Sequence, residues 1–279
     1  MNDVQLIEEK IFQYLSDAEK ESLAEQITQI KNDYATYFVR NFSSIGRKLS
    51  LSTKAQLVTI DLGANSKLIV TNWSLTKLIR VLFILHISEE EEQKYIAFIN
   101  KLFEFADVDE LEALYASLNI LPNPRHWVAR CEEGIRSNIG SVQSAVMLHN
   151  KFPFEQLSES SWNQMVLKSF FTDKDTLAIY GLMERVNPSL SAAIVDYIYE
   201  RDSAKRNINP MLWVLASGAL PARAQHILMG RYSDGLDLQD KYKMLYALAA
   251  VTEKTGKDFY AQEVEKIGKI PTLDKIVNR

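Results

Sequence analysis

Polar and charged side chains recur along the helical stretch 131–201 of this 279-residue chain, beside apolar stripes. On a helix, Glu132 and Arg136 lie four residues apart and share a face, as do Gln164 and Lys168. The planar guanidinium of arginine pairs bidentately with carboxylate or phosphate, so an anion site is one interpretation of this pattern. The candidate ligand- or partner-binding residues are Arg136, Asn138, Asn163, Gln164, Lys168, Asp196, Glu200 and Arg201.

These polar residues admit two non-catalytic interpretations. Buried Arg, Asn and Gln side chains are costly unless they are paired, so the group would form a network that holds neighbouring helices in register. Alternatively, Arg136, Lys168 and Arg201 would line a concave face that holds an anionic small molecule or an acidic segment of a partner protein.

A third interpretation is general acid/base catalysis by Glu133, Asp196 or Glu200. No pair of these carboxylates has a spacing that requires it, so the catalytic residues stay unassigned. A deep pocket that gathers Arg136, Lys168 and a carboxylate of displaced pKa would favour an enzyme. An open groove, or full mutual pairing, would favour binding or structure.

Metal and cofactor signatures are missing from the sequence. The chain has four histidines and no pair with the His-x-x-x-His spacing of a helical zinc site, and Cys131 is its single cysteine. It also has no phosphate-binding glycine loop, no Gly-x-Ser-x-Gly elbow and no dinucleotide fingerprint. We therefore expect neither a metal nor a cofactor, and we interpret His86, in an apolar run, as a core or capping residue.

Composition favours a helical cytoplasmic protein. Hydrophobic residues make up 47% of the chain, and the net charge of −4 comes from acidic and basic residues that are mixed, which does not indicate a nucleic-acid surface. The apolar run Val81–Ile87 is too short to span a bilayer, and the N-terminus has Asp3, Glu8 and Glu9 where a signal peptide would have basic residues. A single cysteine fits a reducing compartment.

Helix signals cover most of the sequence, since glycine (10) and proline (7) are scarce. Ser16 and Glu19 form a capping-box pattern that opens one amphipathic helix to about Arg47. Asparagine precedes proline at 123–124, 187–188 and 209–210, a pattern typical of helix starts, and Pro124 is expected to open a long helix to about His149. Further helices are expected after Ser88, with Glu89 to Glu92 in the first turn, and at 174–183.

The segment 49–72 differs, because it holds two short β-rich runs, Leu57–Ile60 and Leu68–Val70, around a turn at 63–65. We predict an irregular excursion there, within an all-α fold. The short loops favour stacked antiparallel helix pairs, an α-solenoid of HEAT-like character, over an irregular helical bundle. The predicted domains are 1–72 and 73–279.

Two runs of unusual composition resemble the EboA family: Glu133-Gly134-Ile135-Arg136-Ser137-Asn138 and Trp162-Asn163-Gln164-Met165-Val166-Leu167-Lys168. The resemblance extends from about 106 to 213 and includes Asn187-Pro188 and Glu200-Arg201. The chain departs from the family pattern at Tyr199 and Asp202, where the family has His and Trp. The N-terminal third and the tail after Trp213 show little family character.

The resemblance implies a setting in metabolism. Members of the family look like operon companions of a TatD-like hydrolase, a UbiA-like prenyltransferase, a dehydroquinate-synthase-like cyclase and a sugar-isomerase-like protein. An accessory or scaffold protein of secondary-metabolite processing or transport, which binds a partner protein or an anionic small molecule, is therefore expected. The alternative is an enzyme that acts on a metabolite precursor in the same pathway.

Overall fold

The computed structural model describes residues 3–88, 91–233 and 235–277, apart from the side chain of Ala219. It is about 70% helical, and the described residues form seventeen α-helices and one two-stranded sheet, which confirms the all-α prediction. The strands are β1 (Leu57–Ile60) and β2 (Val70–Ser74). The helices are α1 (Asp3–Phe12), α2 (Asp17–Asn32), α3 (Tyr34–Lys48), α4 (Leu51–Lys54), α5 (Leu75–Ile84), α6 (Glu92–Phe105), α7 (Val108–Ala116), α8 (Val128–Arg136), α9 (Gly140–Met147), α10 (Phe152–Gln156), α11 (Glu159–Phe171), α12 (Pro188–Ser203), α13 (Pro210–Ala216), α14 (Ala222–Arg231), α15 (Leu238–Ala249), α16 (Lys254–Ile267) and α17 (Leu273–Val277).

Two compact units make up the chain. The N-terminal unit comprises Met1–Met165 and Ala178–Tyr180, and the C-terminal unit comprises Val166–Leu177 and Gly181–Arg279. Helix α11 contributes residues to both. The division into domains at 72/73 stays a prediction, as does a helical repeat. No helix among the described residues combines the length and the apolar character needed to cross a bilayer.

Helix α5 is the core of the N-terminal unit. Every residue from Leu78 to Ile84 is buried, and the helix packs against α1, α3 and α7. A helix that is apolar on nearly all sides is stable only when neighbours cover it on nearly all sides. The one charged side chain within this buried run is that of Arg80.

Local capping explains where the first helices begin and end. Glu19 Oε2 accepts from the Ser16 backbone N–H at 2.9 Å, and the capping box that opens α2 is confirmed. The single helix expected as far as Arg47 is wrong, because the chain breaks at Asp33. The Asp33 carboxylate accepts from the Thr36 N–H at 3.1 Å and starts α3.

The long helix expected from Pro124 to His149 is also wrong. The chain instead forms a 3₁₀ turn over Pro124–Trp127, then α8, a break at Ser137, and α9. Asn123 is left-handed, with φ 53°, and makes no side-chain cap. The other two Asn-Pro starts are confirmed, since Asn187 caps α12 and Asn209 caps α13.

The irregular segment contains the expected hairpin, with a shifted second strand. β1 and β2 are antiparallel with Leu57 opposite Ser74, so the second strand begins at Val70 and not at Leu68. The connecting loop 61–69 is held by Lys151, a buried residue whose Nζ donates to the carbonyls of Ala64 (2.9 Å) and Ser66 (2.6 Å). These carbonyls compensate the buried ammonium group.

The C-terminal unit is built around α13, whose residues Met211 to Ala216 are all buried. α13 packs against α12 and α15, and α15 packs against α16 and α17. The helix expected at 174–183 is wrong, because this stretch forms only a 3₁₀ turn over Thr176–Ala178.

In the N-terminal unit, α6 starts at Glu92 with Glu91 as its N-cap residue, whereas the expected first-turn residues Glu89 and Glu90 lie outside the described part of the chain.

Candidate functional site: a polar cavity around Arg80

The N-terminal unit contains a polar cavity of about 530 Å³ beside α5, here called the Arg80 cavity. Four helices and the end of β2 supply its walls. Its lining combines four cationic side chains, three carboxylates and several small residues: Arg47, Lys54, Lys77, Arg80, Asp107, Asp109, Glu112, Ser43, Gly46, Ser74 and Thr76.

Helical spacing explains why these side chains converge. On α3, Ser43 and Arg47 are four residues apart, and on α5, Lys77 and Arg80 are three apart. Residues at such separations lie on one face of a helix, so each helix turns a polar strip toward the same space. Ser74 starts α5 by accepting from the Lys77 N–H at 3.2 Å, which fixes where the strip begins.

Arg80 is the most constrained cation of the cavity, since only 4% of its surface is exposed. Its Nε donates to the Phe42 carbonyl at 3.1 Å, and its guanidinium lies 5.6 Å from the centre of the Phe42 ring. Within the described residues, no carboxylate lies within 4.0 Å of it. A buried guanidinium that stays charged and lacks a carboxylate partner is costly to the fold.

Lys77, the second cation on α5 that lines the cavity, is half-buried. Burial lowers its pKa to about 8, although the nearby Glu112 carboxylate acts in the opposite direction. The Lys77 ammonium lies 4.6 Å from the centre of the Trp73 ring. An anion in the cavity would stabilise the charged form of this lysine.

The carboxylates of the cavity come from the start of α7. Asp107 is its N-cap and accepts from the Glu110 N–H at 2.8 Å, while Asp109 and Glu112 share the next face of the helix. The Asp107 carboxylate is thus already engaged in capping α7. Four cationic side chains and three carboxylates line the cavity. Such a site suits an anion that reaches Arg80, since charge-assisted hydrogen bonds are strongest where water is excluded.

The residues predicted as a site from the sequence fall in both units. The N-terminal unit holds Arg136, Asn138, Asn163 and Gln164, and the C-terminal unit holds Lys168, Asp196, Glu200 and Arg201. None of them lines the Arg80 cavity. Their role as a binding site stays a prediction.

In the N-terminal unit, one polar link joins α8 to α11. Glu132 Oε1 accepts from Ser161 Oγ at 2.6 Å, and Glu132 Oε2 lies 3.9 Å from Arg136 Nη1. The Arg136 side chain is 69% exposed, and Asn138 and Gln164 are exposed as well. Asn163 is buried.

In the C-terminal unit, Arg201 is held locally. Its Nε donates to the Asn207 carbonyl at 2.8 Å, and its guanidinium lies 5.8 Å from the centre of the Tyr197 ring. It borders a cavity of about 90 Å³, too small for most metabolites. Asp196 and Glu200 are exposed on the same helix, α12, and Lys168 is half-buried.

Isolated nucleophiles and metal ligands do not add a second site. Cys131 is buried, and burial raises the pKa of its thiol well above the usual range. Burial also lowers the pKa of His86 to about 4, so its imidazole is neutral at physiological pH. Among residues 3–88, 91–233 and 235–277, no three His, Cys, Asp or Glu side chains cluster in a way that could hold a metal ion.

The sequence analysis missed the Arg80 cavity although α5 carried a signal. Arg80 interrupts the apolar run from Leu78 to Ile84, and a lone arginine inside such a run is either buried or forces the helix to the surface. The partners on α3, α4 and α7 have no sequence pattern that connects them. Only the fold brings them together.

The comparisons with known proteins place the chain by family alone. No curated protein and no solved structure matches it. The model of the family described as "Metabolite traffic protein EboA" matches residues 3–217, about three quarters of the chain. The match extends the resemblance over the N-terminal third, which the sequence analysis had set aside, and thus over the whole lining of the Arg80 cavity. The chain belongs to the EboA family.

Proposed function

We propose that this protein is a cytoplasmic accessory protein of secondary-metabolite processing or transport, and that it binds an anionic small molecule in the Arg80 cavity. The observation that carries the proposal is Arg80, which is 4% exposed and has no carboxylate within ion-pair distance among the described residues. A buried charge without an opposite charge beside it is costly to the fold, and ionisable groups in such environments cluster at functional sites. The description of the family as a metabolite traffic protein agrees with small-molecule binding.

The cavity supports binding more directly than the sequence-predicted residues do. Its volume of about 530 Å³ lies in the range of small-molecule sites, and Arg80 and Lys77 would meet the anion from one helix. Arg136, by contrast, is largely in water, where a salt bridge contributes little. A partner protein encoded in the same operon would then receive or deliver the ligand.

A pair of matched variants tests the proposal. Wild type, Arg80→Met and Arg136→Met are purified at low ionic strength, and bound small molecules are identified by native mass spectrometry. Affinities for inorganic phosphate and succinate are measured by isothermal titration calorimetry. We expect Arg136→Met to bind as wild type does and Arg80→Met to lose about 10- to 100-fold in affinity, the worth of a hydrogen bond to a charged group.

Two results would contradict the proposal. If Arg80→Met binds both probes as tightly as wild type does, the cavity is not the anion site. If Arg136→Met loses binding instead, the anion site lies at the residues predicted from the sequence. Thermal denaturation of each variant shows whether the loss reflects unfolding.

An enzyme that acts on a metabolite precursor is the second candidate, and Lys77 is the observation that favours it. An amine with a pKa of about 8 in a polar cavity is partly neutral near physiological pH and can accept a proton from a bound substrate. Lys77→Arg keeps the positive charge and removes the base. Turnover of the co-purified molecule by wild type but not by Lys77→Arg would favour catalysis. If wild type leaves the co-purified molecule chemically unchanged, binding without catalysis is favoured.

A further inference from the structure

An apolar groove of about 440 Å³ lies beside the Arg80 cavity in the N-terminal unit. Helices α3 and α6 form its sides, with residues at helical spacing: Ala35, Val39, Phe42 and Ser43 from α3, and Phe98, Lys101, Leu102 and Phe105 from α6. Ala106 and Glu110 close one end. The Glu110 carboxylate accepts from the Asp107 N–H at 3.1 Å, so its charge is already engaged.

The groove and the cavity share a wall. Ser43 lines both, and Ala106 in the groove directly precedes Asp107 in the cavity. Phe42 lines the groove, while its carbonyl and its ring both contact Arg80. Apolar and cationic surfaces therefore meet along one edge of α3.

The groove leaves large apolar side chains in water. Phe105 is 77% exposed and Val39 is 51% exposed, although both point along faces that line the same depression. Exposed apolar surface grouped in a concavity, next to a charged site, is typical of a binding groove. Covering these side chains with an apolar ligand would release the water around them.

We infer that the ligand is an amphiphile, a small molecule with an anionic head group and an apolar chain or ring system. The head group lies at Arg80 and Lys77, and the apolar part lies in the groove between α3 and α6. This assignment rests on the proposed anion site and extends it to a class of ligand. It also explains why an uncovered apolar surface lies directly beside a cationic cavity.

A homologous series of ligands tests the assignment. Inorganic phosphate and butyl, hexyl and octyl phosphate are titrated into the full-length protein by calorimetry, below the concentrations at which they form micelles. Each buried methylene is expected to raise the affinity by up to about fourfold, until the groove is filled. The same head group is kept throughout, so any gain comes from the apolar part.

Matched surface variants locate the apolar part. Phe105→Gln removes an exposed wall of the groove, and Leu57→Gln removes an exposed apolar side chain on β1 that lines neither cavity. We expect Phe105→Gln to lower the affinity for octyl phosphate several-fold and to leave inorganic phosphate unaffected. Leu57→Gln is expected to change neither.

The outcomes distinguish a failure of the amphiphile assignment from a failure of the anion site. If affinity does not rise with chain length, the amphiphile is excluded while the anion site stands. If affinity rises equally in Phe105→Gln, the groove is excluded as the site of the apolar part. If no member of the series binds, and Arg80→Met matches wild type, the anion site itself is wrong. A Phe105→Gln variant that melts at the wild-type temperature excludes unfolding as the cause of a lost response.

Discussion

The stretch 131–201 and helix α5 use charge in opposite ways. The first is rich in polar residues, yet the two arginines that the sequence singled out as site residues are exposed, as Arg136 is, or held locally, as Arg201 is. Helix α5 has two cationic residues, Lys77 and Arg80, in a mostly apolar sequence, and the fold buries Arg80 and half-buries Lys77. The comparison teaches that a conspicuous polar motif and a costly polar group are different things. Burial, rather than the number of polar residues, identifies the charged group whose presence costs the fold most and is therefore the better candidate for a functional role.

Trp162 gives the largest expected effect, and it tests whether the conspicuous stretch acts mainly through packing. The Trp162 side chain is fully buried, and its ring meets that of Phe154 edge-on with centroids 6.2 Å apart. Trp162→Ala should lower the free energy of unfolding by about 3–5 kcal/mol, since it leaves a large cavity. Urea denaturation measures the change. A free energy within 1 kcal/mol of wild type would show that the family motif is not a core element.

Lys77 sharpens the comparison through pH. Because its pKa is about 8, its charge falls from pH 7 to pH 9, and sulfate, whose own charge is constant there, should bind several-fold more weakly at pH 9. Arg80 and Arg47 stay charged throughout. Lys77→Met should bind sulfate more weakly at pH 7 and lose most of this dependence, as calorimetry at both pH values would reveal. An unchanged pH dependence in Lys77→Met would show that a group other than Lys77 titrates.

The same shift has a defined effect on stability. The unfolded chain binds a proton at Lys77 up to its ordinary pKa of 10.5, whereas the folded chain releases it near 8. The free energy of unfolding should therefore rise with pH between about 8 and 10.5 in wild type, and rise less in Lys77→Met. The difference between the two curves isolates this residue from other groups that titrate in the window.

Arg136 gives the smallest expected effect. Its side chain is 69% exposed and its contact with Glu132 is 3.9 Å, so Arg136→Gln should change the free energy of unfolding by less than about 1 kcal/mol. Urea denaturation of Arg136→Gln and Arg80→Met compares the effect of replacing an exposed arginine with that of replacing a buried one. A loss of several kcal/mol in Arg136→Gln would favour the buried network considered for this stretch.

Local signals in the sequence predicted much of the fold. The caps at Ser16, Asn187 and Asn209 depend on neighbours within three residues, so they could be predicted without tertiary information. The breaks at Asp33 and Ser137 were missed because apolar spacing continues across them. At Asp33, the side chain caps a new helix, so the chain breaks although the apolar spacing continues.

The Arg80 cavity could not be predicted from the sequence for a different reason. Arg47 and Asp109 are 62 positions apart, and neither lies in a recognisable motif. Their convergence follows from the packing of α3 and α7 on α5, which no local pattern encodes. What could have been noticed is Arg80, a charge in the middle of a mostly apolar helix.

The contact of Lys151 with the hairpin loop has a consequence for the order of folding. The two carbonyls that hold its ammonium belong to residues 85 and 87 positions earlier in the chain. During synthesis the strands β1 and β2 emerge long before Lys151, so the contacts of its ammonium with the loop 61–69 form only when the chain beyond α9 has been made. Contacts of such sequence separation form late, because the entropy of closing a long loop must be overcome first. A ribosome-bound chain that stops before residue 151 should therefore expose this loop to protease.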